Sequence, residues 1–276
     1  MTRHRILILG GTGFVGAYVR RELEVDHDVE TTSTTGAGAT HAFDVTRAEH
    51  YALVVDGGYH AVINCSVRRA GTLAEFYEVN VRGLAALVLA LRDTPLHLIQ
   101  VSSIFGTLAN HNTGDYGLTK FLGDELVAYV GDGRHPLRAA SLRFGQIFDV
   151  EGRSASSQPG LHHWAAKLRA GESIRVFSNA GKRSYLPAPV VARAIRHALA
   201  RRLVGVHDVV APDAYTPLEL AGLLAAAAGY DDSKIVVDRE ARAFDYAIPA
   251  CSPEFQAWIA EQGGCSSSFR DMVNHG

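Results

Sequence analysis

The sequence predicts a doubly wound α/β fold, a parallel sheet with helices on both faces, followed by a small C-terminal α/β region. Three observations predict it. Short apolar runs alternate with longer helix-period segments through the first half of the chain. A glycine-rich turn follows the first apolar run directly. The alternation ends near Phe148, where a stretch rich in Ser and Gly runs from Glu151 to Pro159.

Each element follows from its pattern. Arg5 to Leu9 reads as a buried strand, and Phe14 to Leu23 as a helix with Val15, Val19 and Leu23 on one face. Asp28 to Ser33, Ala61 to Asn64, Leu96 to Val101 and Ala139 to Arg143 read as further strands. Helices are expected from about Thr72 to Leu91 and from Gly117 to Val130. Beyond Pro159 come a helix carrying Trp164 and Leu168, a short strand from Ile174 to Phe177 and a turn at Asn179 to Gly181. Two more helices follow, Pro189 to Leu199 and Pro217 to Ala228, the second closed by Gly229. The tail from Cys251 reads as a helix, a Gly-Gly break and a last short segment. Residues 1–148 are expected to form a dinucleotide-binding domain, with 183–200 packing back onto it, and 149–276 a smaller substrate-binding region.

Composition narrows the function. The 27 basic and 29 acidic residues give a net charge of −2, so no basic field points to nucleic acid or an anionic membrane. No apolar run approaches the roughly 18 residues of a membrane span. The apolar stretch after Met1-Thr2-Arg3-His4-Arg5 is too short for a signal-peptide core. Cys65, Cys251 and Cys265 are odd in number and lack metal-like spacing, which fits a reduced, cytoplasmic setting and no metal. His162 and His163 are adjacent, so their rings leave a helix on different faces, and this also argues against a metal pair.

The glycine turn reads Gly10-Gly11-Thr12-Gly13-Phe14-Val15-Gly16. Gly10 allows a sharp turn after the strand. Gly13 removes a side chain where a pyrophosphate approaches the backbone. Gly16 lets the helix pack close to the sheet. Backbone N–H groups and the helix dipole then favour a dinucleotide phosphate. The second strand ends in Ser33-Thr34-Thr35 with no acid, and Glu30 lies too early in the strand to reach a ribose. This slightly favours NADP(H) over NAD(H).

Ser102 and Ser103 follow an apolar strand, and Tyr116 and Lys120 share one helix face four residues apart. Hydride transfer at a carbon bearing oxygen needs a proton donor for that oxygen. A free tyrosine, with a pKa near 10, is a poor acid–base group at neutral pH. A nearby ammonium lowers that value, and a serine hydroxyl can orient the substrate oxygen. Ser103, Tyr116 and Lys120 are therefore the expected catalytic residues.

Together these motifs resemble the extended short-chain dehydrogenase/reductase family, its NAD-dependent epimerase/dehydratase group, over nearly the whole chain. The resemblance implies a Rossmann-type fold, an enzyme acting on a nucleotide-linked sugar, and a homodimer. It places Asp44-Val45 at the adenine, Cys65-Ser66 after Asn64 along the cofactor, and Asn80 behind the active site. Tyr116-Gly117-Leu118-Thr119-Lys120 looks like the family's Tyr-Gly-x-Ser-Lys, with an acid following at Glu125. Leu142-Arg143-Phe144-Gly145-Gln146 looks like its Leu-Arg-x-x-Asn segment, implying Phe144 at the cofactor and Gln146 at the substrate. Arg183, before Tyr185-Leu186-Pro187, stands where relatives often hold the diphosphate. Asp44 also reads as a turn residue, Asn80 as a structural prop and Arg183 as a surface charge.

The departures favour one reaction. The related dehydratases carry an Asp-Glu pair after the catalytic Ser or Thr; Ile104 and Phe105 stand there instead, which disfavours elimination. The segment from Asp44 to Ser66 looks closest to dTDP-4-dehydrorhamnose reductases, although that group has Thr-Asp in place of Ser103-Ile104. Net reduction of a keto group is the first expectation. An NAD-dependent epimerase and a non-catalytic NADP(H) sensor are the alternatives.

Overall fold

A computed structural model describes residues 3–156, 158–177, 181–238, 246–264 and 266–275. Cys265 and the expected turn at Asn179–Gly181, save Gly181 itself, lie outside them. The elements in chain order are β1 (Arg5–Leu9), α1 (Phe14–Leu23), β2 (Asp28–Ser33), β3 (His41–Ala42), α2 (Tyr51–Val55), β4 (Ala61–Asn64), α3 (Leu73–Tyr77), α4 (Leu84–Leu91), β5 (His97–Ser103), α5 (Asp115–Val130) and β6 (Arg138–Phe144). They continue with β7 (Gln146–Phe148), α6 (Pro159–Arg169), β8 (Ile174–Phe177), β9 (Arg183–Pro187), α7 (Ala188–Ala200), β10 (Gly205–Val209), β11 (Ala214–Tyr215), α8 (Pro217–Ala227), β12 (Ile235–Asp238), α9 (Pro253–Glu261) and α10 (Ser266–His275). The chain divides into two compact units, Met1–Phe144 with Val191–Asp208, and Gly145–Val190 with Val209–Gly276.

The first unit is built on a seven-stranded sheet in the order β10-β6-β5-β4-β1-β2-β3, a Rossmann-type arrangement. From β6 to β3 every neighbouring pair is parallel. Parallel strands are covered on both faces, so they read as unbroken apolar runs. Ile6 to Leu9 and Val62 to Ile63 are each 0 % exposed, as that rule requires. Leu84, Leu87, Val88 and Leu91 of α4 and Val127 and Val130 of α5 join Leu7, Leu9, Val62 and Leu98 in one core cluster. The strand order reverses between β1, which leads to β2 on one side, and β4 on the other. Ligand crevices in open α/β sheets form at such a switch point, outside the carboxyl ends of the strands.

The expected helix from Thr72 to Leu91 is divided. Thr72 and Glu75 form a capping box at the start of α3, and a wider π-type turn over Glu78–Gly83 separates α3 from α4. Gly83 lies against the segment following β3 so closely that a Cβ there would come 2.7 Å from Val45 Cγ1. Such single wide turns re-aim side chains, and this one carries buried Asn80.

The second unit holds a three-stranded sheet, β11-β9-β7, and a two-stranded parallel pair, β12-β8. Phe269 of α10 stacks on Phe148 with centroids 4.6 Å apart and meets the edges of Tyr185 and Tyr215. These aromatic contacts fill the unit's interior with large apolar area.

Glu30, midway along β2, is tied into the sheet. Its carboxylate accepts from Arg5 Nη2 at 2.7 Å and from the Tyr59 hydroxyl at 2.7 Å, and it pairs with His41 Nε2 at 2.6 Å. The Arg5 hydrogen bond, with those from His41 and Tyr59, outweighs partial burial and holds the carboxyl down at about 2. A depressed carboxylate stabilises the fold above its unfolded pKa of 4.5, and that contribution is lost as pH falls from there toward 2. Glu30→Gln is expected to cost on the order of 2 kcal/mol at pH 7, discounted for partial exposure, and little at pH 2. Urea denaturation of both proteins across that range measures it.

Candidate active site

The glycine turn sits at the carboxyl end of β1. Gly10 has φ +71°, the left-handed region that favours glycine. Its N–H donates to Thr32 Oγ1 at 3.3 Å, and the Gly11 N–H donates to the Thr32 carbonyl at 3.0 Å, which pins the turn to β2. A Cβ on Gly16 would overlap the Gly10 carbonyl oxygen and lie 2.8 Å from Gly11 Cα. On the other side the Cys65 N–H donates to the Leu9 carbonyl at 2.9 Å. A Cβ on Gly10 would lie 3.2 Å from the Ser66 nitrogen. The turn is thus wedged between β2 and the chain leaving β4.

Helix α1 begins at Gly13, which offers no side-chain cap, and no acid stands in its first turn. Its first N–H groups and the positive end of its dipole are left for an anion. Thr12 and Gly13 are exposed there, Phe14 and Val15 are half-buried, and Phe14 rests edge-on against Tyr18 at 5.9 Å. An open anion-binding helix end over a side-chain-free cradle fits a dinucleotide.

The serine, tyrosine and lysine meet where β5 ends and α5 begins. Ser103 closes β5, and its hydroxyl hydrogen-bonds the Tyr116 phenol and accepts from the Phe105 N–H at 3.3 Å. The rings of Phe76 and Phe105 flank Tyr116 edge-on at 6.3 and 6.4 Å. One turn along α5, Lys120 is 5 % exposed and donates to the Val101 carbonyl at 3.0 Å. Its ammonium lies 5.8 Å from the Tyr116 ring centroid. Loss of water pushes the Tyr116 phenol up to about 12, against the pull of Arg69 and the Ser103 hydrogen bond. Loss of water likewise brings Lys120 down to about 8, although Asp124 works in the other direction.

A buried polar network backs this pair. The Ser66 N–H donates to Asn64 Oδ1 at 3.0 Å, Asn64 Nδ2 to Gln100 Oε1 at 2.8 Å, and Gln100 Nε2 to the same Val101 carbonyl at 3.0 Å. Asn80 accepts from the Arg68 N–H at 2.8 Å and donates to the Arg68 carbonyl at 2.9 Å and to Thr119 Oγ1 at 3.2 Å. Its amide is spent tying the loop after β4 to the residue before Lys120.

The sequence pattern pointed to Glu125 as the acid after the lysine. Glu125 is exposed; the buried acid is Asp124, 1 % exposed, which accepts from Ser141 Oγ at 2.5 Å and Arg143 Nε at 2.6 Å. Asp124 is four residues after Lys120, and that spacing was the available signal. Burial raises its carboxyl above the usual range, against Arg143 and Ser141.

The remaining expected residues divide between the units. Ser33 donates its hydroxyl to the Ala37 carbonyl at 3.1 Å, and Thr34 is exposed beside it. Asp44 accepts from the Thr46 N–H at 2.9 Å and hydroxyl at 2.7 Å; burial opposes ionisation, but these bonds prevail and lower its pKa. Val45 is a core side chain, and its carbonyl accepts from Tyr51 at 2.5 Å. Phe144, 1 % exposed, is also core, opposite Ser103 in the strand register. Gln146 and Arg183 lie in the second unit on neighbouring strands, Gln146 opposite Tyr185, whose phenol hydrogen-bonds Arg183. The same unit contains a cavity of about 400 Å³, walled by Val210, Pro212, Ile248, Pro249 and Ile259 with Lys182 as its cation.

The model of the NAD dependent epimerase/dehydratase family matches residues 6–211. The chain belongs to that family, and it is therefore an NAD(P)-dependent enzyme of the extended short-chain dehydrogenase/reductase type. No curated protein matches it significantly. Among solved structures it is similar to UDP-N-acetylglucosamine 4-epimerase from Methanobrevibacter ruminantium M1, in complex with UDP-N-acetylmuramic acid, at 16 % identity and TM-score 0.80, over 99 % of this chain and 98 % of that one. UDP-glucose 4-epimerase from Thermus thermophilus, in complex with NAD, matches at 18 % identity and TM-score 0.77, over 98 % of each chain. RMD from Pseudomonas aeruginosa, complexed with NADPH, matches at 17 % identity and TM-score 0.75, over 99 % of this chain and 97 % of that one. At these identities the likeness is one of fold. No helix among the described residues is long and apolar enough to cross a membrane.

The close approach at Gly16 makes a direct test. Gly16→Ala forces α1 away from the Gly10 carbonyl. Dinucleotide affinity, read by fluorescence titration, is expected to fall more than about tenfold, with a lower melting temperature.

Proposed function

We propose that the chain reduces a keto group on a nucleotide-linked sugar, with NADP(H) slightly preferred over NAD(H). The observation that carries the reading is the state of Tyr116: loss of water keeps its phenol protonated, and the hydrogen bond with Ser103 holds it at the end of β5. A protonated tyrosine is poised to donate, which is what carbonyl reduction asks of it. The nicotinamide, when bound, supplies the hydride. Ser103 orients the carbonyl oxygen by a hydrogen bond, and Tyr116 gives its proton to that oxygen. The Lys120 ammonium stabilises the tyrosinate left behind.

Several features support the cofactor and substrate. The acid in β2, Glu30, is engaged by Arg5, His41 and Tyr59, while exposed Thr34 stands at the strand end. Gly10 to Gly16, Ser33, Asp44, Cys65 and Ser66 are assigned to the cofactor. Gln146 and Arg183 are assigned to the substrate, with Lys182 adding a second cation for a diphosphate beside a cavity in the range of small-molecule sites. An epimerase is the second reading, favoured by the epimerases among the similar structures.

Turnover of a panel of nucleotide-linked keto sugars tests the assignment. Stoichiometric oxidation of NADPH or NADH is expected; product formed with no net cofactor consumption replaces the reductase with the epimerase. Tyr116→Phe is expected to lower turnover about 10²–10⁴-fold with dinucleotide binding retained, and full turnover in that variant removes Tyr116 from the role. The wild-type reductive rate is expected to decline as pH rises through about 8, where Lys120 loses its proton.

A further inference from the structure

Beside Lys120 the first unit encloses a cavity of about 10 Å³. That volume matches one water molecule. Its walls are polar: Asn64, Asn80, Gln100, Ser102, Lys120 and Asp124 all contribute. A roomy polar cavity holds water, whereas an apolar one stays dry. An ammonium has three donors, and among the described residues Lys120 donates to one acceptor, the Val101 carbonyl. The carboxylate that shares the cavity, Asp124, is one helical turn further along the same face of α5.

We propose that this cavity holds one ordered water joining the Lys120 ammonium to the Asp124 carboxylate, and that Asp124 is thereby a positioning residue that keeps Lys120 charged. The inference rests on the Tyr116–Lys120 reading above and adds the group that maintains it.

The surroundings define the charge balance. Facing Lys120 are Tyr116 and Asp124 from α5, Cys65 from the chain after β4, and Arg69 from the loop beyond it. Burial pushes the Cys65 thiol up to about 12, so it is neutral at ordinary pH, and Arg69 opposes the ammonium. Asp124 is therefore the one negative neighbour among the described residues. Arg143 of β6 holds it at 2.6 Å, and Arg143 Nη1 stands 3.9 Å from Asp208 of β10. Gly106 leaves the carboxylate its room, since a Cβ there would lie 2.7 Å from Asp124 Oδ2.

The chain's usage of cations agrees. Lys120, Lys167, Lys182 and Lys234 are the sequence's only lysines among 27 basic residues. Arginine stays charged in any environment, while a buried lysine is easily neutralised and needs a partner to remain an ammonium. A lysine buried at this position calls for a device such as Asp124.

The same scarcity makes the test tractable. In protein labelled with ¹³C at lysine Cε, four signals titrate, and loss of one in Lys120→Arg assigns Lys120. Asp124→Asn is expected to lower the Lys120 midpoint by about one pH unit, a tenfold change, with the other three unmoved. Arg143→Gln, which unmasks the carboxylate, is expected to raise it. In wild-type protein, cross-relaxation between the Lys120 Nζ protons and a long-lived water reports the cavity directly, whether or not either variant folds. An unchanged Lys120 midpoint in a folded Asp124→Asn variant, or a cavity without water, overturns the proposal. Neither result depends on turnover, so it is separable from failure of the Tyr116 assignment.

Discussion

Burying one ammonium group organises the first unit. Taking a lone charge out of water costs several kcal/mol unless partners replace the lost hydration. Lys120 is 5 % exposed, so helix α5 must press closely on β5 and on its neighbours. Glycines make that approach possible. A Cβ on Gly117 would come 3.0 Å from the Phe105 carbonyl, one on Gly123 3.0 Å from Leu84, and one on Gly106 3.0 Å from the backbone carbon of Lys120 itself. The Val101 carbonyl then accepts from both Lys120 and Gln100, a sharing that backbone oxygens with two lone pairs allow.

The same burial acts on the two titratable side chains in opposite senses. Loss of water favours the neutral form of each, raising Tyr116 and lowering Lys120. Hydrogen bonds and charges then decide how far each goes: Arg69 and Ser103 restrain the tyrosine, Asp124 the lysine. The ionisation of both side chains is in this way set by packing around a single helix. The π-type turn belongs to the same arrangement, because it brings Asn80 to the loop after β4 and to Thr119, next to the lysine.

Much of this was legible in the sequence because burial leaves a plain pattern. Strands β1 and β4 and helix α1 have the bounds their apolar patterns suggested, since a parallel strand buried on both faces has few polar interruptions. The glycine turn was readable because only glycine tolerates the Gly10 dihedral and the Gly16 contact. Other features were not readable. Strands β3 and β11 have two residues each, and β12 is half exposed, so none carries a period long enough to detect. Asp124 and Glu125 are chemically alike and adjacent, and about 100° of helix rotation separates the buried one from the solvated one. Only their phase relative to Lys120 distinguishes them. Asn80 had two defensible readings, and its three internal hydrogen bonds follow from a wide turn that no local propensity signals.

Glu30 carries the same lesson to the other end of the crevice. An acid in the second strand is commonly taken as a sign of ribose recognition. What matters is whether its lone pairs are free. Here Arg5 of β1, His41 of β3 and Tyr59 just before β4 occupy the carboxylate, and their hydrogen bonds hold its pKa low. Releasing it to a ligand would strand an arginine and a tyrosine hydroxyl. An acid already bound in this way serves β2's place in the sheet.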